Sequence, residues 1–428
     1  MYAVRRTSAA LLAAVVLALV PGTSVGLAAS AGLAASPASS TAAGLGADGT
    51  PGPAIEETLS VPVGPEPDGT AVALDVTVFR PGGLGQHSEP WSAVLLAHGF
   101  GGSKADLVER GRDLASRGYL VLGYSARGFG ASGGRIHLND PAYEIADARA
   151  LVSLLATRSD VLLDAPGDPH VGVVGASYGG ALAIMLGATD PRVDSVVGVV
   201  AWNDLADAFF PQFAVVGPRS PLGPAQVDRS PEPGPLKALW ASRFFGSALA
   251  SAGSPGAGAG AGAGAVTGSG GAGAVCGRFD PTVCRLFLEA TVTGRPSAEL
   301  LTVLRAHSPR PLLSGLRAPT MLVQGMADSL FGIEQAAATA RAIAVQVPRL
   351  AIRWIDGGHD GLSSTAAADE QALRDWLADT LRGTTLLAGA GQFIYAAPIP
   401  RRRTVAPLFT TPDSPPTATW TAVPLAPL

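Results

Sequence analysis

The sequence predicts an α/β fold: a mainly parallel sheet covered by helices on both faces, with a mostly helical cap inserted late in the chain. Short apolar runs of strand length alternate with helix-length segments, the pattern of strands buried on both faces. The pentapeptide Gly175-Ala176-Ser177-Tyr178-Gly179 sits where one such strand stops and a small-residue helix starts. Between Asn203 and Leu316 the alternation breaks into helical stretches separated by Pro- and Gly-rich turns, which predicts the cap.

Of the 428 residues, 47% are hydrophobic and 15% charged, enough apolar surface for one large core and too much for a disordered chain. A net charge of -4 supplies no basic field, so nucleic acid is excluded as a partner. Arg5 and Arg6, the apolar run Ala9 to Val20, and the small residues Ala29-Ser30-Ala31 have the order of a secretory signal and its cleavage site. Residues 1–31 are therefore expected to direct export, to the cell envelope or outside it. The apolar run is short against the ~20 residues of a membrane span, so no stable span is expected after cleavage. Residues 32–54, rich in Ala, Ser, Pro and Gly, read as a disordered tether.

Order is expected from Ile55. Ile55 to Val63 and Ala71 to Phe79 form a strand pair, the second alternating with a two-residue period. Ser92 to Ala97 is a short buried strand ending in His98-Gly99-Phe100-Gly101-Gly102, followed by a helix from Lys104 to Arg117 and a strand from Tyr119 to Tyr124. Asp140-Pro141 opens a helix to Arg158, with Ile145, Ala148, Leu151, Val152 and Leu155 at helical spacing. His170 to Val174 leads into the serine, and Gly179 to Leu186 is the helix after it. Further strands are Val193 to Ala201, Pro319 to Gly325 and Leu350 to Ile355. The core thus spans 55–202 and 317–383, and the cap 203–316. Inside the cap, helices are expected at Leu236 to Ala250 and Cys284 to Thr293, with a flexible Gly/Ala loop at 251–275. Residues 384–428 form a Pro-rich tail with one strand-like piece, Gln392 to Ala397, and the charge run Arg401-Arg402-Arg403.

A serine at a strand-to-helix junction, with glycines two positions away on either side, fits the cramped turn that exposes a nucleophilic hydroxyl. Such a hydroxyl needs a histidine to accept its proton and a carboxylate to orient the imidazole, and on this topology they end two later strands in the order Ser, Asp, His. Asp328 follows the strand ending at Gly325, and His359 follows the strand ending at Ile355. Asp204, after an earlier strand, is the competing acid. The backbone N–H groups of Phe100 and Tyr178 are the expected donors to an oxyanion. Gly128-Phe129-Gly130-Ala131-Ser132-Gly133 matches a dinucleotide-binding pattern, but the segment after it is loop-like and offers no helix N-terminus to a pyrophosphate. No cofactor and no metal are called for. Cys276 and Cys284 are the two cysteines; two thiols fall short of the four ligands of a structural metal site, and in an exported chain their proximity predicts a disulfide.

Taken together, Leu96 to Lys104, Ser125 to Gly134, Gly175 to Gly180 and Ala327-Asp328-Ser329-Leu330-Phe331 resemble the α/β-hydrolase superfamily, in the branch of Xaa-prolyl dipeptidyl-peptidases and cocaine-esterase-like acyl hydrolases. The resemblance covers about Ile55 to Arg382. It implies Ser177, Asp328 and His359 as a triad acting on a small ester, amide or peptide. Two departures bear on the substrate: little follows the final helix where that branch carries a β-rich domain, and a Phe stands where its esterases place an aromatic donor in the oxyanion loop. A broader serine hydrolase is therefore the leading expectation. A dipeptidyl-peptidase, an acyltransferase and a non-catalytic surface binder are the alternatives.

Overall fold

Ten strands join in one sheet whose middle is parallel and whose two edges are antiparallel. The computed structural model describes residues 52–82, 90–211, 213–215, 227–229, 233–252, 276–359, 366–383, 392–395 and 421–424. In chain order the strands are β1 (Gly52–Val63), β2 (Val72–Gly82), β3 (Ala93–Ala97), β4 (Leu120–Tyr124), β5 (Val171–Ala176), β6 (Val193–Val199), β7 (Thr320–Gly325), β8 (Leu350–Ile355), β9 (Gln392–Tyr395) and β10 (Thr421–Pro424). Their spatial order is β1-β2-β4-β3-β5-β6-β7-β8-β9-β10. Pairing is parallel from β4 through β9, and antiparallel for β1 with β2, β2 with β4 and β9 with β10.

The helices are α1 (Val108–Ser116), α2 (Glu144–Ala156), α3 (Tyr178–Thr189), α4 (Leu205–Phe209), α5 (Ala238–Ala252), α6 (Pro281–Thr293), α7 (Ala298–Ala306), α8 (Ile333–Ile343) and α9 (Ala366–Arg382). Because successive strand residues face opposite ways, the central strands feed two separate cores. Leu95, Leu122, Val173 and Val196 pack with α2, α3, α8 and the cap helices on one face. Leu96, Val121, Val174, Val197 and Val323 pack with Leu114 of α1 and Trp376 and Leu377 of α9 on the other. Apolar runs such as Ala93 to Ala97, buried at every position, are what a strand covered on both faces requires.

Several boundaries differ from expectation. β1 starts at Gly52, inside the segment read as tether, because its early residues pair with β2. The helix expected from Lys104 is a 3₁₀ turn, Lys104–Leu107, capped by Ser103 and continued by α1. The helix expected from Asp140 starts at Glu144, since the Asp140 carboxylate accepts from the Ala142 amide and holds a turn there. In the C-terminal tail the strand-like piece at Gln392 is β9, and β10, which was not expected, pairs with it, so that the two extend the sheet beyond β8. Thr421–Pro424 is short and ends in proline, so nothing local marks it as a strand; its pairing with β9 does. In the cap, a short antiparallel ladder, Phe213–Val215 with Val227–Arg229, joins the helices. Asp280 caps α6 with Pro281 in the first turn, and Ser297 caps α7. The predicted signal, the tether up to residue 51, residues 253–275 of the Gly/Ala loop and Arg401 to Arg403 lie outside the described residues.

Candidate active site

Ser177 sits between β5 and α3 with φ 55° and ψ -113°, a conformation that L-residues adopt only under constraint and that costs about 1–3 kcal/mol. The constraint is the packing of the flanking glycines. A Cβ on Gly175 would lie 2.1 Å from the Gly179 carbonyl oxygen, and one on Gly179 would lie 2.2 Å from that of Ala97. Backbone thus fills the space that side chains would need, and the serine is held at the head of the following helix.

Ser177 Oγ lies 2.8 Å from His359 Nε2, and His359 Nδ1 lies 2.9 Å from Asp328 Oδ2. The three residues come from loops after β5, β7 and β8, at the carboxyl edge of the parallel strands where open sheets of this kind gather their ligands. Asp328 is held independently of the histidine. Its Oδ1 accepts from the Leu330 and Phe331 amides at 2.8 Å each, and its Oδ2 also receives Gln324 Nε2 at 3.2 Å. The His359 ring meets the rings of Phe331 and Trp240 edge to face, at 5.0 and 5.3 Å. Asp204 has a different post: it accepts from the Ala206 and Asp207 amides to cap α4 and pairs with Arg310 at 3.0 Å.

The loop carrying Phe100 runs beside the elbow, since a Cβ on Gly99 would lie 3.6 Å from the Ala176 oxygen and 3.8 Å from Ser177 Cβ. His98 anchors that loop: its buried Nε2 accepts from the Ala126 amide at 2.9 Å, leaving Nδ1–H to donate to the Gly99 oxygen at 2.7 Å. Burial lowers its pKa and keeps it neutral. Tyr178 opens α3, so its amide is among the first N–H groups of a helix, which have no intrahelical acceptor.

Sequence reasoning missed a group beneath Tyr178. The Tyr178 hydroxyl donates to Glu144 Oε1 at 3.1 Å and accepts from the Asn139 amide at 3.0 Å, while Asn139 Nδ2 donates to the Tyr178 oxygen at 2.8 Å. Leu138 and Asn139 take positive φ, 63° and 60°, to make this clamp. Burial pushes the Glu144 carboxyl up to about 8, against the backbone amide of His137 that holds it down. The dipeptide Asn139-Asp140 ahead of a helix was the available signal, and it reads equally as an ordinary turn. Lys237 was missed as well: it donates to the Leu330 oxygen at 2.7 Å and ties the cap to the Asp328 loop, with burial lowering its pKa.

A cavity of about 70 Å³ opens on Ser177 and runs under the cap, walled by Phe100, Leu138, Tyr178, Trp202, Leu236, Val283, Leu300 and Phe331 among others. Eight of the chain's thirteen phenylalanines line it, which concentrates the scarce aromatic content at one place. Cys276 and Cys284 form the expected disulfide, closing a loop that carries Phe279. The Phe279 ring stacks on those of Phe100 and Phe245, and its backbone bridges to Ile136. In the Gly128 to Gly133 turn, Phe129 packs edge-on against His98, Phe100 and Tyr178, supporting the site from below. One group with metal-ligand atoms, Asp164, His170 and Asp194, lies near the amino ends of β5 and β6, away from Ser177. Its imidazole is engaged on both sides, by Asp164 at 2.9 Å and by the Leu381 oxygen at 2.9 Å.

A family model for the X-Pro dipeptidyl-peptidase (S15 family) matches residues 68–236, which include Ser177 but neither Asp328 nor His359. Among solved structures, a CocE/NonD family hydrolase from Staphylococcus aureus superposes with a TM-score of 0.52 at 13% identity, over 80% of this chain and 53% of that one. The chain has the α/β-hydrolase fold. Two curated relatives are similar over shorter stretches. A putative carbamate hydrolase RutD of Variovorax paradoxus (strain S110) is 37% identical over 113 residues, 26% of this chain and 38% of that protein. A monoacylglycerol lipase of Mycolicibacterium smegmatis (strain ATCC 700084 / mc(2)155) is 33% identical over 105 residues, 24% and 35% of the two chains. The chain thus spans under two fifths of the length of the curated relatives it matches. Among the described residues, no helix is long and apolar enough to cross a membrane.

Proposed function

We propose that this is an exported serine hydrolase that cleaves an ester or amide through an acyl-enzyme, with Ser177 as nucleophile. The observation that carries the reading is the unbroken chain from Ser177 Oγ to His359 to Asp328, at 2.8 and 2.9 Å. Asp328 accepts from Nδ1–H, which leaves Nε2 free to take the hydroxyl proton as Oγ bonds to the carbonyl carbon. The oxygen that becomes negative is received by the N–H groups of Tyr178 and Phe100. When the scissile C–O or C–N bond breaks, the proton passes from His359 to the leaving group. Water then repeats the sequence on the acyl-serine, releasing the acid and restoring Oγ–H. The cationic imidazole between these steps is stabilised by a carboxylate already oriented by two amides and Gln324.

Export is inferred from the order of Arg5-Arg6, the apolar run and Ala29-Ser30-Ala31, and the Cys276–Cys284 disulfide suits an oxidising compartment. The match to the S15 model favours one second reading, a dipeptidyl-peptidase. Labelling with a fluorophosphonate, followed by peptide mass mapping, tests the main proposal. Adduct on Ser177, with Ser177→Ala abolishing p-nitrophenyl ester turnover, is expected; turnover surviving Ser177→Ala overturns it.

A further inference from the structure

The wall of the cavity speaks to what the acyl-enzyme holds. Among the described residues that line it, none carries a charge, and the polar side chains are those of Ser177, Tyr178 and Trp202. The last two are satisfied by protein partners: the Tyr178 hydroxyl by Glu144 and Asn139, and Trp202 Nε1 by the His307 oxygen at 3.2 Å. Nearby carboxylates are likewise committed, Asp328 to His359 and its own loop, and Glu144 to Tyr178 and the amides of His137 and Asp140.

We propose that the Ser177 site takes substrates with an uncharged, hydrocarbon-rich acyl group, aliphatic or aryl, and selects against those that carry an ammonium beside the scissile carbonyl. The inference rests on the serine-hydrolase reading and adds the substrate class to it. Its physical basis is desolvation. An ammonium entering this cavity loses its water and meets aromatic faces in place of a carboxylate, a cost that only pairing with an opposite charge offsets. A methylene gains from the same transfer, by a factor of about four in binding for each group buried. Two small residues, Ala241 of α5 and Ala290 of α6, leave room in an otherwise bulky wall, and Ala290 is buried. Phe287, half-buried on the same helix, stacks on Phe245 and closes the wall there.

The experiment uses the purified full chain with p-nitrophenyl esters from acetate to decanoate, p-nitrophenyl benzoate and alanyl-proline p-nitroanilide, alongside fluorophosphonate occupancy of Ser177. The expected result is a kcat/KM that climbs about fourfold per methylene from acetate to an optimum at a longer chain, with the anilide far below. Ala290→Phe moves that optimum to shorter chains and Phe287→Ala moves it to longer ones, so a fold defect in one variant leaves the other to decide. Whether benzoate or the best alkyl ester leads tells aryl from aliphatic. A preference for acetate, or for the anilide, with Ser177 fully labelled overturns the substrate class alone. Absence of label on Ser177 overturns the serine-hydrolase reading itself.

Discussion

The loops at the carboxyl edge of the sheet and the cap that closes over them are held by opposite means. Around Ser177 and Asp328 the structure depends on backbone: glycines that admit a carbonyl within 2.2 Å of where a Cβ would sit, and two consecutive amides that fix one oxygen of a carboxylate. The cap holds its shape by side chains, through stacked rings of Phe245, Phe279 and Phe287, a disulfide, and polar ties such as Lys237 to the Leu330 oxygen and Arg278 to the Gly130 oxygen. Backbone constraints permit almost no substitution, whereas a wall of apolar rings tolerates exchange at modest cost and changes what it admits. On the function proposed above, chemistry and selectivity are thereby built from separate materials.

The most severe way to break this contrast is at the acid. Asp328→Asn is expected to lower kcat about 10⁴-fold while the fold stays intact, because the imidazole loses its oriented acceptor. Asp204→Asn is the control: as a helix cap, its loss costs at most about 2 kcal/mol of stability and leaves kcat near the parent value. Steady-state kinetics beside thermal unfolding separate the two, and a collapse of kcat in the Asp204 variant would reassign the acid.

Next comes the elbow. Gly179→Ala places a Cβ against the Ala97 carbonyl, and a loss of about 3 kcal/mol or more is expected, read by urea denaturation. A variant of parental stability would show that the backbone there can yield. For the cap, replacing both Cys276 and Cys284 by Ser removes the cross-link of a loop with sequence separation 8, which is worth about 2.5 kcal/mol. Ser177 should still take up a fluorophosphonate while turnover of long apolar esters weakens, since Phe279 sits in the released loop. Equal loss of labelling and of long-ester turnover would mean that cap and catalytic edge are not separable.

The smallest effect is at Glu144. Its carboxyl is raised by burial to about 8, above the ~4.3 of an unfolded chain, so the folded state holds that proton more tightly. The contribution is therefore fully present below about pH 4 and is lost as pH rises through 8. Glu144→Gln should flatten the fall in melting temperature between pH 5 and 9, and an unchanged slope would show that another group governs it.

Much of this edge was legible in the chain because its signals are local. Gly175 to Gly179 announces a turn that only small neighbours permit, and Asp328 and His359 each stand just past an apolar strand. The partners of Tyr178 were not legible: Asn139 and Glu144 reach it across 39 and 34 residues, through a loop whose positive φ values no composition betrays. The same holds for Thr421–Pro424, a strand by virtue of its pairing.

By itself, then, the sequence determined the alternation of strands and helices, the elbow, the placing of Asp328 and His359 just past two later strands, and the pairing of Cys276 with Cys284, all of which are read from short stretches of chain. Tertiary structure alone decided that eight phenylalanines scattered from Phe100 to Phe331 converge on a single cavity, and that Asp328 and Glu144 near it are bonded to neighbours in their own loops and helices. Convergence of that kind arises from burial of apolar surface over long chain separations. No spacing rule encodes it.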